Sequence, residues 1–227
     1  MQNSTGLRAE SIESPLARAS LSFATPELGE HVVLADPRSY RVQLRTEVAD
    51  PAVVGVEVSL DAGRPRKLSP SHTTLTLGEL LSEDAVLEPG SHWLFAAPLL
   101  ASGLVPRASS GGGRVAAARR FFVGQNEQAA DSRGAVWLRK PEGTYNGVKN
   151  TETVTFEAFV FSALGAPLEE PCTITLRSPS VTGELRLASP FALHEVPSGV
   201  YEVSASARAA ATSTMYFTVN RELGVGP

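Results

Sequence analysis

The sequence predicts an all-β protein built from two antiparallel β-sandwiches in tandem. Three observations predict this fold class. Apolar and polar residues alternate with a period of two along most of the chain, which is the pattern of half-buried strands. Glycine (19 residues) and proline (16 residues) interrupt the alternation at short intervals. No window of helical length keeps an apolar stripe, and 227 residues suffice for two small domains.

In the first half, alternation defines a series of short strands. They are predicted over residues 40–48, 54–60, 74–77, 92–96 and 119–123. Between them, residues 79–87 predict a single helical turn. Residues 99–117 are glycine-rich in part and predict a long flexible excursion between the last two strands.

The second half repeats the scheme. Strands are predicted over residues 153–160, 172–177, 185–187, 191–193, 201–205 and 214–219. Cys172 lies on the apolar side of its strand, which indicates a small buried hydrophobe rather than a nucleophile. Short strands separated by turn residues are typical of a β-sandwich.

The two halves also match each other locally. An apolar residue before a Pro-Glu corner, a glycine entering a late strand and an aromatic final strand recur in the same order, which indicates a tandem repeat. The matching segments are residues 23–27 with 138–142, 88–94 with 196–203, and 121–123 with 217–219. The predicted division is a flexible N-terminal tail (1–18), a first sandwich (19–124), a short polar linker (125–134), a second sandwich (135–221) and a C-terminal tail (222–227).

Residues 197–203 carry a resemblance to a known family. A glycine turn at Gly199 precedes Tyr201, whose side chain is predicted to face the core. Over residues 19–221 the chain resembles tandem bacterial immunoglobulin-like or fibronectin-III-like domains. The resemblance implies two immunoglobulin-like antiparallel β-sandwiches. It implies no ligand, since a shared fold does not carry a function, and the paired cysteines of antibody domains are absent from the sequence.

Composition excludes several classes of protein. With 20 basic and 24 acidic residues the formal charge is −4. This charge excludes nonspecific electrostatic binding of nucleic acid or anionic lipid, because such binding requires a basic surface. A single cysteine excludes an intrachain disulfide framework. No apolar run reaches the length of a transmembrane helix. The polar residues 1–18 are typical of a tethering tail and favour an extracytoplasmic protein; a cytoplasmic location is the alternative. A lipid-modified cysteine upstream of Gln2 is the candidate anchor for such a tail.

Catalytic and metal-binding motifs are missing from the sequence. No two histidines have the spacing of ligands on one helix, and no nucleophile elbow or phosphate loop is present. His92 and His194 are predicted to be exposed strand histidines. The linker acids Glu127 and Asp131 lie near a domain junction, where a calcium ion could bind, but no Asp-x-Asp-x-Asp pattern supports a calcium site there. We therefore expect a non-catalytic protein without cofactor or metal.

The candidate partner contacts lie in the second half. Phe159 and Phe161 share the strand face of polar neighbours, so alternation predicts two exposed aromatic rings at a protein interface. In that case serine at both positions would weaken partner binding and barely change the melting temperature. The alternative is a bulge that turns both rings inward. The loop with Tyr145, Asn146 and Lys149 has a composition suited to adaptable recognition.

These features predict a structural or protein-binding module of the cell envelope or surface, acting in adhesion, assembly or scaffolding. An edge strand completed by another chain is a further route of assembly. The first alternative is a carbohydrate-binding accessory module with Tyr145 and either Trp137 or Trp93 as stacking platforms. The second is an enzyme whose site is assembled from distant residues.

Overall fold

The computed structural model describes residues 8–61, 63, 65–109, 113–124, 133–139, 145–146, 154–178, 181–194, 196–208 and 210–220. Apart from two short 3₁₀ helices, Pro37–Ser39 and Leu77–Leu80, the regular structure of these residues is β-strand, which confirms the predicted all-β class. None of the described segments forms a helix long and apolar enough to cross a bilayer.

The first sandwich consists of two layers. One has three antiparallel strands in the order β3-β5-β8, and the other has five in the order β4-β11-β9-β6-β7. The strands are β3 (Ala19–Thr25), β4 (His31–Val32), β5 (Arg41–Val48), β6 (Val53–Leu60), β7 (Arg66–Leu68), β8 (Thr74–Thr76), β9 (Gly90–Leu100) and β11 (Ala117–Val123). Alternate residues of β5, β6 and β9 enclose the core, in which Val42, Val58 and Leu94 are fully buried.

The second sandwich has the same arrangement of strands as the first. One layer contains β18-β14-β12 and the other contains β20-β19-β16-β17. The two layers are joined into one continuous sheet because β12 pairs with both β14 and β20. The strands are β12 (Gly134–Arg139), β13 (Tyr145–Asn146), β14 (Val154–Phe161), β15 (Pro167–Leu168), β16 (Thr173–Ser178), β17 (Val181–Ala188), β18 (Phe191–His194), β19 (Gly199–Ala207) and β20 (Ala210–Asn220). Phe156, Ile174 and Tyr201 lie at the centre of its core.

The N-terminal segment belongs to both sandwiches. Strand β1 (Arg8–Ser11) pairs antiparallel with β18 of the second sandwich. Strand β2 (Leu16–Ala17) then pairs in parallel with β10 (Arg107–Ala108) of the first. The prediction of a flexible tail over 1–18 is therefore wrong for these strands, because a four-residue run carries too weak a pattern to reveal a distant partner. The earlier part of that tail, residues 1–7, lies outside the described residues.

The two sandwiches are stacked face against face. The outer face of β6, β9 and β11 in the first packs on the outer face of β12 and β14 in the second, and the buried apolar residues of both form one cluster. The segment 99–117, predicted to be a flexible excursion, contributes Val105 and Ala116 to this cluster. Val105 is fully buried. The described part of this segment is thus packed between the two sandwiches, a contact that alternation cannot reveal.

Candidate functional site

Aromatic rings from both sandwiches meet at the interface. Phe95 of the first stacks on Trp137 of the second, with ring centroids 5.5 Å apart and planes inclined by 7°. Phe161 lies 5.7 Å from Phe95, and Phe159 lies 5.4 Å from Trp137. Trp93 extends the stack from Phe95 at 6.1 Å. Such ring pairs add specific geometry to a large buried apolar area, and they fix the position of one sheet on the other.

The interface decides the role of Phe159 and Phe161. Both rings point away from the core of their own sandwich, as alternation predicts, yet only 6% of Phe159 and 0% of Phe161 is exposed. The prediction of two exposed rings is wrong because the first sandwich of the same chain covers them. A signal for this burial was present in β9, where residues 94–100 are apolar on both faces, as in a strand covered on both sides.

A buried ionic network crosses the same interface. Glu57 of the first sandwich and Glu157 of the second are each 1% exposed. Arg139 donates from Nε to Glu57 Oε1 at 2.7 Å and from Nη2 to Glu57 Oε2 at 3.1 Å, while its Nη1 contacts Glu157. Arg114 pairs with Glu157, and the backbone N–H of Val105 donates to the same carboxylate at 3.3 Å. Each sandwich thus supplies one carboxylate and one guanidinium.

Burial and charge pairing oppose each other in this network. Burial raises the pKa of Glu157, and the guanidiniums of Arg114 and Arg139 act against that shift. Burial also lowers the pKa of Arg114. Burial disfavours the charge of Arg139 too, but its hydrogen bonds and ion pairs with Glu57 and Glu157 outweigh this and raise its pKa. Each charge is tolerated only in the presence of the others, so the network holds only while the sandwiches stay together.

Two further contacts tighten the junction. The Arg114 guanidinium lies 4.0 Å from the centre of the Phe159 ring and donates to the carbonyl of Ala158 at 3.3 Å. Gly165 has φ +78°, and a Cβ at this position would lie 2.4 Å from the carbonyl oxygen of Ala118 in the first sandwich. Glycine therefore permits both the turn and the close backbone approach.

The outer face of the second sandwich away from this junction is polar. It is formed by β16, β19 and β20 and carries Thr173, Thr175, Ser204 and Thr214. At one end of this face Tyr216 is 60% exposed and its hydroxyl donates to Glu202 at 3.1 Å. We call this hydroxyl-rich surface the Tyr216 face.

The two sandwiches share an equivalent hydrogen bond near the start of β9 in the first and of β19 in the second, which we call the polar corner. In the second, the hydroxyl of the fully buried Tyr201 donates to the carbonyl of Pro197 at 2.8 Å. In the first, His92 Nε2 lies 2.7 Å from the carbonyl of Glu88, also four residues upstream. His92 Nδ1 lies 2.8 Å from Asp61 Oδ2. The side chain of His92 is 12% exposed, so the prediction of an exposed strand histidine is wrong at this position.

Both ring nitrogens of His92 face oxygen acceptors, and only the protonated imidazolium can donate to both. Burial lowers its pKa, but the hydrogen bonds to Asp61 and to the Glu88 carbonyl outweigh this, and the net pKa is raised. Asp61 is held with a positive φ of 50°, and its other oxygen accepts from the backbone N–H of Trp93 at 2.8 Å. This corner borders an open cavity of about 800 Å³ between β7 and residues 79–88.

We expect the free energy of unfolding to fall as the pH rises through the folded-state pKa of His92, which lies above its ordinary value of about 6.5. The reason is that the folded protein favours the imidazolium, so this stabilisation is complete below the unfolded-state pKa and is lost at higher pH. Denaturant unfolding between about pH 6 and about pH 9 measures the effect.

The matched control is His92→Tyr, because a tyrosine hydroxyl can serve the Glu88 carbonyl as Tyr201 serves Pro197. The other three histidines are common to both proteins, so their contributions cancel in the difference. Equal pH dependence of the two proteins would contradict the assignment of the effect to His92.

The remaining sequence candidates fall in different places. Tyr145 and Asn146 form β13, which pairs in parallel with β20, and Lys149 lies outside the described residues. Trp137 is 4% exposed, which rules it out as a sugar-stacking platform. Trp93 is partly buried in the aromatic stack.

Cys172 packs at the edge of the second core, as expected of a small hydrophobe, and burial raises the pKa of its thiol to about 11. Such a thiol carries little thiolate at neutral pH, which argues against a nucleophilic role. The linker acids Glu127 and Asp131 lie outside the described residues.

The strand order of both units is that of an immunoglobulin-like sandwich, and the chain is a tandem of two such domains. No protein-family model matches it, and no curated protein does. Similar solved structures include the fibronectin(III)-like modules of Clostridium thermocellum CbhA, at 14% identity over 88% of this chain and 94% of that one, with a TM-score of 0.28.

Two further similar structures share this level of likeness. The two tandem V-type regions of VCBP3, a v-region-containing chitin binding protein, match at 10% identity over 89% of this chain and 99% of that one, with a TM-score of 0.28. The three N-terminal domains of the Hoc outer capsid protein of bacteriophage RB49 match at 12% identity over 89% of this chain and 59% of that one, with a TM-score of 0.27.

Proposed function

We propose that this protein is a non-catalytic, extracytoplasmic protein-binding module whose two sandwiches act as one rigid body. The observation that carries the proposal is the junction of aromatic rings and paired charges, which buries one face of each sandwich against the other. A junction of this kind suits a spacer or scaffold, because it holds the remaining surfaces at a constant distance and angle.

The Tyr216 face is the surface best suited to a partner protein. In the first sandwich the equivalent face of β6, β9 and β11 packs on the second sandwich, whereas in the second the face of β16, β19 and β20 carries hydroxyls and the exposed Tyr216. Tyrosine and serine or threonine together favour recognition of another protein, because the ring supplies contact area at low entropic cost and the hydroxyls supply adaptable hydrogen bonds. Val200, 54% exposed on neighbouring β19, adds apolar area beside the ring.

The outer face of the three-stranded layer in the first sandwich offers a matched control surface. It carries exposed Gln43 and Arg45 on β5, without an aromatic ring beside them on that strand. Tagged wild-type protein, the variant Tyr216→Ser with Val200→Ser, and the control Gln43→Ser with Arg45→Ser are used to capture proteins from envelopes of the producing cells. Captured proteins are then quantified by mass spectrometry.

We expect at least one protein to be captured equally by wild type and control and about tenfold less by the Tyr216 variant, a loss that corresponds to roughly 1.4 kcal/mol. Both variants change exposed residues, so their melting temperatures should stay near that of the wild type. If no captured protein distinguishes the Tyr216 variant from the control, the Tyr216 face is not the binding surface.

A further inference from the structure

Strand β1 completes the edge of the second sandwich. Its residues Arg8 to Ser11 pair with β18 in the register Ala9 opposite Leu193 and Glu10 opposite Ala192. The backbone N–H of Ile12 continues the ladder to the carbonyl of Pro190 at 3.1 Å. Without β1, strand β18 would be the edge of its layer. The site that β1 occupies is therefore a strand-acceptor edge.

Few contacts hold β1 in place. Among the residues of this strand whose side chains the structure describes, Ala9 packs against the second core, where it is partly buried. One carboxylate oxygen of Glu10 lies 3.3 Å from Nε2 of His194, and the Glu10 side chain is 64% exposed whereas that of His194 is 30% exposed. A four-residue edge strand with one small apolar anchor opens more readily than the core strands beside it.

The segment that joins β1 to the first sandwich is short. The carbonyl of Pro15 accepts from the N–H of Arg107 at 2.9 Å, so the chain is already tied to the first sandwich at this residue. The chain crosses from one sandwich to the other between Ile12, which is bonded to the second, and Pro15, which is bonded to the first, and these three residue steps span roughly 10 Å in extended form. Strand β1 is thus joined to the first sandwich by a short hinge, residues 13 and 14.

We propose that this edge accepts β1 from a second copy of the chain, giving a reciprocal strand-exchanged dimer. A second copy is the occupant that fits, because residues 8–11 already match the edge in register, in the small side chain at Ala9 and in the Glu10–His194 pair. A hinge that places a copy's own β1 on its own second sandwich can place it on a neighbour's, and exchange in both directions closes the assembly with two-fold symmetry.

The proposal is tested by forming a disulfide that requires docking between chains. All chains carry Cys172→Ser. A tagged full-length chain with Glu10→Cys is refolded at high concentration with an untagged chain carrying Ala192→Cys, and the mixture is oxidised. Because Ala192 is 3% exposed, random collision rarely reaches a thiol at this position. A dimer of one tagged and one untagged chain then reports strand exchange.

The matched control replaces the acceptor cysteine by Thr173→Cys, which lies exposed on β16 in the other layer. We expect about tenfold more mixed dimer with Ala192→Cys than with this control, because docking raises the effective concentration of the two thiols. A single chain carrying both Glu10→Cys and Ala192→Cys should form an intrachain disulfide at low concentration and interchain ones at high concentration. Mixed dimer at or below the control level, with only intrachain disulfide at every concentration, overturns the proposal.

Discussion

Replacing Arg139 by methionine should lower the free energy of unfolding by about 3–5 kcal/mol, because it leaves buried carboxylates without their partner. Glu57 and Glu157 are each 1% exposed, and Arg139 contacts both. Methionine keeps much of the side-chain volume, so the loss reports the charge rather than a cavity. Denaturant unfolding at neutral pH measures the effect.

The control for this prediction is an arginine in a solvated pair. Arg177 lies 3.6 Å from Glu202 with side chains 61% and 33% exposed, and Arg177→Met should cost less than about 1 kcal/mol. The double variant Arg139→Met with Glu57→Gln should recover part of the loss, because it leaves Arg114 and Glu157 as a neutral pair. Equal losses for Arg139→Met and Arg177→Met would show that the network contributes little.

Replacing Phe161 by alanine should destabilise the protein by about 3–5 kcal/mol and lower its melting temperature by roughly 6–20 °C. The ring is 0% exposed and contacts Phe95 across the interface, so its removal leaves a cavity between two sheets that cannot easily collapse. This outcome is the opposite of the small change expected when the sequence alone places the ring on the surface. Thermal unfolding followed by circular dichroism measures it.

Two comparisons distinguish the loss of the contact between the sandwiches from a general effect of removing an aromatic ring. Tyr216→Ala, on an exposed face, should change the free energy of unfolding by no more than about 0.5 kcal/mol. The pair Phe95→Ala and Phe161→Ala should be non-additive, since the two rings share one contact between the sandwiches. Additive losses would mean that each ring stabilises only its own sandwich.

Alternation predicted the interior of each sandwich well and its exterior poorly. Val54, Val56, Val58 and Leu60 were expected inside, and the last three are buried. Val54 is 57% exposed, because a bulge between Val53 and Gly55 shifts the register there. The neighbouring Glu57 and Ser59 were expected on the outer face, and they do point outward, but both are 1% exposed. A period of two separates the faces of a strand and says nothing about what covers the second face.

The candidate site was missed for the same reason. The ionic network joins Glu57 to Arg139, 82 residues away, and no local pattern marks such a pair. His92 was read as exposed although the repeat aligned its segment with that of Tyr201. Because histidine and tyrosine differ in chemistry, only the tertiary structure shows that both side chains bond to a carbonyl four residues upstream.

What the sequence determined by itself is local and periodic: an all-β chain, a repeat of one sandwich and the side chains that fill each core. These follow because strand geometry turns each pair of neighbouring residues to opposite faces, and burial of the apolar face then selects the layers. The tertiary structure alone decided how the sandwiches stack, why Phe159 and Phe161 are hidden and where β1 docks. These depend on contacts between residues far apart in the chain, whose energies exist only once both surfaces are formed.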